Sequence, residues 1–400
     1  MGQPVVIVGA GPAGACLALL LAERGLSVTL IEAARNPGGR FRGEALMPSG
    51  LEALDQIGLT PLLDTLPVRP LDGWSFRVNG RELFRVDEPI GSERPCTLIS
   101  QPALLEAVIA RATVCGGFRW LPGQSVLAPV MDKERVAGVR LADGRVLAAS
   151  LVIAADGRSS LLRGKTGLVL ERSESPIDLL WFRLPAHPRF EADNLFMVQL
   201  GEGGGFSVFH GTAAGELQLG WLLTKGASIE RSASAWAEAF ALLSPDWLAT
   251  HFRAQAAAIE APQKLSVQVG FAPQWHRSGL LLLGDAAHPM SPIRAQGLNM
   301  ALRDAVVAAN HLVPLLRSHP TPQSIDQAFA AIQAEREPEI LQAQALQRAE
   351  ARQGELLARS PQLRQLVARL SPWIGPWIRR SWIARQRSLR EGLGPVRLGV

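Results

Sequence analysis

Four hundred residues exceed one ordinary hydrophobic core and point to two or three domains. With 47% hydrophobic and 19% charged residues the chain reads as globular, and three cysteines without a C-x-x-C pair suit a reducing, cytoplasmic compartment. The net charge of +5 belongs to the tail, where residues 361–400 carry eight arginines and a single acid, Glu391; the remainder is net acidic and argues against a nucleic-acid partner.

Val5 to Val8 is a β-branched run of the kind that forms a buried parallel strand. Gly9, Gly11 and Gly14 follow at G-x-G-x-x-G spacing, with Pro12 and Ala13 between the second and third. An apolar helical stretch then runs to about Arg24, and a second β-rich run, Ser27 to Ile31, ends in Glu32. This is the dinucleotide-binding fingerprint in its strand–turn–helix–strand context. Gly9 makes the tight turn, Gly11 lets the backbone approach a pyrophosphate, and Gly14 lets the helix pack on the strand. Free N–H groups at the helix start attract phosphate, and Glu32 stands where a carboxylate meets a ribose hydroxyl. The same motif explains the apolar residues 5–22 better than a leader or a membrane span does, and no other stretch is long enough to span a bilayer.

Asn36 to Gly50 is a Gly/Pro-rich loop whose Arg40 and Arg42 could face a cofactor phosphate or remain solvated, followed by a helix from about Leu51 to Ile57. Trp74 to Val86 alternates around Asn79-Gly80, a hairpin turn. A helix is expected from Gln101 to Ala112, then strands near Trp120, over Arg135 to Val139 and over Arg145 to Ala154, the last two joined by an Asp143-Gly144 turn. The apolar run Leu151 to Ala155 ends in Asp156-Gly157, which puts a carboxylate and a flexible backbone at a strand's C-terminal edge, where open α/β sheets bind ligands. Residues 177–269 read as short strands with a helix at Ala233 to Leu243. The glycines at Gly201 to Gly205 precede an extended Phe206 to Phe209, so they mark a hairpin and no second nucleotide loop. Leu280 to Leu283 is another buried strand, ending in Gly284-Asp285. The segment after it turns helical with Gly297 and Asn299 near the start, and residues 325–358 form a long Gln/Ala/Glu-rich helix. Trp373, Trp377 and Trp382 interleaved with arginines suit weak contact with a membrane surface, whereas Pro372 and Pro376 are expected to break any single long helix. The alternative is a tail that packs over the nucleotide-binding domain with its arginines solvated.

Three separated motifs therefore coincide: the glycine fingerprint, Asp156-Gly157, and Gly284-Asp285 followed by Pro292-x-x-x-x-Gly297-x-Asn299. Over about residues 1–350 the chain resembles the single-component FAD-dependent aromatic hydroxylases, flavin monooxygenases of the para-hydroxybenzoate hydroxylase fold. Within them it looks most like the branch with an Arg-Gly-acid-x-x-x-Pro loop, here Arg42-Gly43-Glu44 to Pro48. The resemblance implies an α/β fold: a Rossmann-like FAD-binding domain (residues 1–70, 101–175 and 275–320) interleaved with a β-rich substrate domain (71–100 and 176–274), plus C-terminal helices (321–400). By the same resemblance Glu32 holds the adenosine ribose, Gln101 contacts the FAD phosphates and Asp285 holds the ribityl chain. Asp156 and Gly157 serve the pyrophosphate region and help receive NAD(P)H. Gly297, Leu298 and Asn299 would present N–H groups to the flavin edge that becomes anionic on reduction. The implied activity is hydroxylation of an apolar or aromatic small molecule with NAD(P)H and O2 through a flavin C4a-hydroperoxide; no metal is expected.

Departures from the family matter. Its usual small residues before the Gln-Gly pair are here Ile293-Arg294-Ala295, so Arg294 could bind an acidic substrate or nicotinamide phosphate, obstruct the site where oxygen reacts, or point to solvent. The chain has no tyrosine, leaving His210 and His288 as candidate bases near neutral pH. The Trp-x-Trp-x-Ile-Pro signature of halogenases is absent. Arg294 keeps open an FAD-dependent dehydrogenase or reductase of the same fold, while Asp285, Gly297 and Asn299 argue against a binding module without flavin. The apolar residues Trp181, Phe182, Phe196, Val198, Phe206, Phe209 and Trp221 are candidates for a substrate pocket.

Overall fold

Val5–Val8, Leu151–Ala154 and Leu280–Leu282 have no polar face, and strands of that kind are stable only when covered on both sides. In the computed structural model, which describes residues 3–36, 45–91, 94–173 and 177–400, they lie side by side in one six-stranded sheet. Its order is His276–Arg277, Leu280–Leu282, Leu151–Ala154, Val5–Val8, Val28–Glu32 and Phe118–Pro122. All neighbours are parallel except the edge pair at His276–Arg277. The buried helices Pro12–Glu23 and Gln296–Arg317 share one hydrophobic cluster with these strands.

The second large sheet has seven strands, in the order Gln263–Leu265, Ile177–Pro185, Glu216–Thr224, Gly204–His210, Leu195–Gly201, Gly73–Val78 and Arg81–Asp87. Strand alternation divides its aromatic residues between two faces. Phe182, Phe206 and Trp221 pack with Trp236 and Phe240 of helix Ala233–Leu243. Trp181, Phe196 and Phe209 gather instead with Trp74, Phe84 and Trp382. The first three are therefore core beneath a helix, as apolar residues of this kind mostly are, and not pocket lining.

All three hairpins form as expected, at Asn79-Gly80, Asp143-Gly144 and Gly201 to Gly205, with Asn79 (φ 49°) and Gly80 (φ 74°) in the left-handed pair of a tight turn. The run expected as one strand from Arg145 to Ala154 is divided. Val146–Ala148 pairs with Arg135–Leu141 in a three-stranded sheet, and Leu151–Ala154 joins the parallel sheet. Two further elements do not stand out in the sequence: strand Val126–Asp132, half-exposed with Pro129 inside it, and the nine-residue helix Asp246–Ala254.

The largest difference is the tail, which forms one unbroken helix, Pro361–Glu391, with Pro372 and Pro376 inside. Pro372 cannot donate to the Ala368 carbonyl four residues back, and the Ser371 hydroxyl takes that place at 3.2 Å. Packing supplies the rest. At Gly375 an added Cβ would sit 2.3 Å from the Leu83 carbonyl, so the helix rests directly on strand Arg81–Asp87. Trp382 stacks among Trp74, Phe76 and Phe84. Arg390, expected in solvent, is buried and holds both oxygens of Glu88 at 2.6 Å; Arg364 is buried too and donates to the Leu357 carbonyl at 3.0 Å. Glu88 also accepts from the Trp74 indole at 2.5 Å and the Ile90 N–H at 3.1 Å.

Breaking one side of a buried ion pair costs about 3–5 kcal/mol because the remaining charge stays desolvated. Glu88→Gln is therefore expected to lower unfolding stability by an amount in that range, read as a shift in the urea midpoint. An unshifted midpoint would mean that Arg390 finds water in its place.

Candidate cofactor site

The fingerprint glycines are set by backbone contact. Gly9 has φ of 102°, and a Cβ on it would lie 2.2 Å from the Ala155 carbonyl. At Gly14 a Cβ would lie 2.0 Å from the Gly9 carbonyl, so helix, turn and the end of strand Leu151–Ala154 touch without side chains between them. Gly11 differs, since a Cβ there meets nothing within 4 Å. It is the N-cap of helix Pro12–Glu23, with Pro12 in the first turn, no side-chain cap and no acid in that turn. The N–H groups at this helix start are thus open to an anion. Glu32 ends the neighbouring strand and hooks back onto the turn, accepting from Ala10 N–H and Ala34 N–H, each at 2.9 Å.

The middle and late motifs converge on this turn. Asp156 directs its carboxylate into its own loop, accepting from the Ser160 hydroxyl at 2.5 Å and Leu162 N–H at 3.1 Å. The feature left facing outward is Gly157, with φ of 80° and open space where a Cβ would be. At Gly284 a Cβ would sit 3.1 Å from the Ala13 methyl, and at Gly297 it would sit 3.9 Å from Asp285 Oδ1. Asp156, Gly157 and Asp285 line a cleft of about 640 Å³ together with Arg158, Trp181 and Lys264. Residues nearly 130 apart in sequence thus share one cavity with a strand of the seven-stranded sheet.

Helix Gln296–Arg317 starts from an unusual backbone. Arg294 (φ 61°) and Ala295 (φ 48°) are consecutive left-handed residues, neither of them glycine, two residues after Pro292, and the helix has no side-chain cap. Gln347 holds the loop by donating to the carbonyls of Ser291 (2.9 Å) and Ile293 (2.6 Å). Asn299, buried beside Leu298, donates to Ala295 and Ala45 carbonyls and accepts from Met47 N–H at 2.8 Å. Its side chain is therefore a clamp on the strand Ala45–Leu46, which leaves the backbone N–H groups of the helix start for a ligand.

Arg294 does not point to solvent, and the acid it binds is the chain's own. Its guanidinium lies over Trp382 (4.7 Å), Phe76 (5.1 Å) and Trp74 (5.5 Å), and Nε donates to Glu350 at 2.8 Å. Only 9% of the side chain is exposed. Burial lowers its pKa, with Glu350 opposing. It joins the late loop to the C-terminal helices.

The other candidates lie apart from the cleft. His210 is buried between the Gly211 carbonyl (2.7 Å) and Glu191 (2.6 Å). His288 is buried against Trp275 with Nε2 2.8 Å from Asp304. Gln101 is buried in the first turn of helix Gln101–Thr113. Arg40 and Arg42 fall outside the described residues. What sequence reasoning missed is Asp304, which accepts from Gly284 N–H (3.2 Å), His288 and Arg336 (2.7 Å). Arg336 in turn pairs with Glu339, which also holds Arg303 at 3.0 Å. Burial alone would push the Asp304 and Glu339 carboxyls up, but His288 with Arg336, and Arg336 with Arg303, outweigh it and hold both below the usual carboxylate range.

An open glycine turn at a helix start, an acid at the next strand's end, a second acid above the sheet edge and a bare helix N-terminus are the donors and acceptors that suit a dinucleotide. Residues 3–343 match the family described as FAD binding domain. The chain is also 35% identical over 354 residues to 6-methylpretetramide 4-monooxygenase of Streptomyces rimosus, covering 86% of this chain and 82% of that one. The chain belongs to the FAD-dependent aromatic monooxygenases. Another relative of this monooxygenase is 6-hydroxynicotinate 3-monooxygenase of Bordetella bronchiseptica, 29% identical over 76% of this chain and 82% of the relative. Its fold is that of p-nitrophenol 4-monooxygenase PnpA from Pseudomonas putida, with a TM-score of 0.80 at 20% identity, covering 98% of this chain and 99% of PnpA.

Two outcomes follow for this monooxygenase. Gly11→Val should leave the fold intact and weaken FAD binding by at least about tenfold, or 1.4 kcal/mol, in a flavin-fluorescence titration; Gly14→Val should fail to fold. A carboxylate whose folded pKa is depressed contributes stability above its unfolded pKa and loses it as pH falls through the folded one. Stability should therefore drop in acid below the usual carboxylate range. Asp304→Asn should shallow that drop while costing about 3–5 kcal/mol at neutral pH, measured from urea midpoints across pH.

Proposed function

We propose that this monooxygenase uses NAD(P)H and O2 to hydroxylate an apolar, electron-rich aromatic small molecule. The observation that carries the reading is the cleft, in which Asp156, Gly157 and Asp285 of the cofactor side meet Trp181 of the aromatic-rich sheet. In this reading residues 1–70, 101–175 and 275–320 hold FAD, and 71–100 with 176–274 enclose the substrate. The chemistry supplied by bound FAD is reduction by NAD(P)H and transfer of one atom of O2 to the substrate. The chain's part is positional. Helix Pro12–Glu23 takes the pyrophosphate on its first N–H groups, Glu32 takes the ribose, and Asp285 takes the ribityl hydroxyls. The start of helix Gln296–Arg317 stabilises negative charge at the flavin edge. Trp181 supplies a flat apolar wall on the substrate side.

His210 and His288 are both engaged away from the cleft, so substrate activation is assigned to neither. Arg294 is the residue that favoured a dehydrogenase, and its place in an aromatic cage removes that support. The three free thiols, Cys16, Cys96 and Cys115, suit a cytoplasmic enzyme.

Protein purified with FAD should oxidise NAD(P)H faster in the presence of an accepted aromatic compound, and isotopically labelled O2 should place one labelled atom in the product. Reoxidation that yields only hydrogen peroxide across a panel of phenols and fused aromatics would point to the reductase alternative.

A further inference from the structure

Helix Pro361–Glu391 has two apolar sides. One is buried: Ala368, Ser371, Gly375 and Trp382 face the seven-stranded sheet and its aromatic cluster. The other is a stripe of Leu366, Leu370, Trp373 and Trp377 at spacings of four, three and four, which at 3.6 residues per turn project within about 60° of one another. All four are exposed, Trp373 by 75% and Trp377 by 72%. Two indoles and two leucines in line form a continuous apolar face, which a chain does not keep in water without use.

The charge beside the stripe says what covers it. Arg369, Arg380 and Arg387 are exposed along one flank of the same face, and no acid occurs from Leu356 to Arg390. Arg387 is already paired with Glu391 one turn on at 3.0 Å, and a second copy of this face would set Arg369 and Arg380 against the same arginines, which opposes self-association. Among the described residues no helix is long and apolar enough to cross a membrane. Tryptophan and leucine over a basic flank is the composition of a helix that lies in the plane of a lipid interface, indoles at the headgroup boundary and guanidiniums on phosphates.

We propose that the Leu366–Trp377 face docks this protein on an anionic lipid bilayer surface, with Trp373 and Trp377 seated in the interface and Arg369 and Arg380 meeting lipid phosphates. The docked helix then carries Trp382 on its opposite side into the cage around Arg294, one helix thickness from the bilayer.

The test is co-sedimentation of the full-length, FAD-loaded protein with phosphatidylcholine vesicles, with and without phosphatidylglycerol. Binding is expected to the anionic vesicles, to weaken as salt rises, and to bring a blue shift of tryptophan fluorescence. Trp373→Ser/Trp377→Ser and Arg369→Gln/Arg380→Gln should each weaken it by about tenfold. Because these side chains are exposed, FAD content and melting temperature should not change. No sedimentation with anionic vesicles, or equal sedimentation by the tryptophan variant, overturns the proposal. So does a dimer in light scattering that the tryptophan variant dissociates.

Discussion

The Asp304 carboxylate lies in the core between helices Gln296–Arg317 and Pro322–Arg359 and accepts from three directions: Gly284 N–H, the His288 ring and the Arg336 guanidinium. A buried charge with incomplete partners is expensive, so such a set is stable only as a whole. Its completeness fixes the strand end carrying Asp285 to the helix whose first turn faces the same cleft. Arg336 passes the constraint to Glu339, and Glu339 holds Arg303 and Leu393 N–H, the latter at 3.1 Å beyond the last helix. The cofactor edge and the C-terminal segment are thereby parts of one ionic framework.

Two further joints extend it. Glu350 of the long helix holds Arg294 and accepts from Gln386 of the last helix. Glu88, beyond the edge strand of the seven-stranded sheet, holds Arg390. Trp382 lies between these joints and packs on both Arg294 and the sheet aromatics. This is why two internal prolines do not break the last helix. Each proline removes one backbone bond, whereas the helix is held along its length by a side-chain substitute at Ser371, backbone contact at Gly375 and a buried ion pair at Arg390.

Features that state a local backbone constraint were legible from sequence. Gly9, Gly14 and the Asn79-Gly80 turn each demand a conformation or approach open to few residues, and continuous apolar runs such as Val5–Val8 announce a sheet covered on both faces. Val126–Asp132 was not legible because its side chains are mostly half-exposed and carry no alternation. The Asp304–Arg336 pair was not legible because ionic partners 32 residues apart on different helices leave no spacing rule. Asp156 and Asn299 were found as motif residues, but the direction of their side chains, into the loop and onto strand Ala45–Leu46, depends on the fold. The direction of Arg294 was beyond reach for a stronger reason: it follows from a left-handed backbone at a residue type that rarely adopts one.

That backbone ties the tail to the cofactor side. Left-handed conformation at Arg294 and Ala295 costs of order 1–3 kcal/mol each, so surrounding contacts must hold it. Cation–π contacts contribute about 0.5–2 kcal/mol each when desolvated, and Arg294 makes three, one of them with Trp382 of the last helix. The opposing quantities are of similar size, so removing the last helix would leave the strain poorly offset. Ala295 would then be free to relax toward a right-handed conformation, and the first N–H groups of helix Gln296–Arg317 would turn with it. The backbone at the start of helix Gln296–Arg317 is therefore set in part by a helix that begins more than sixty residues later.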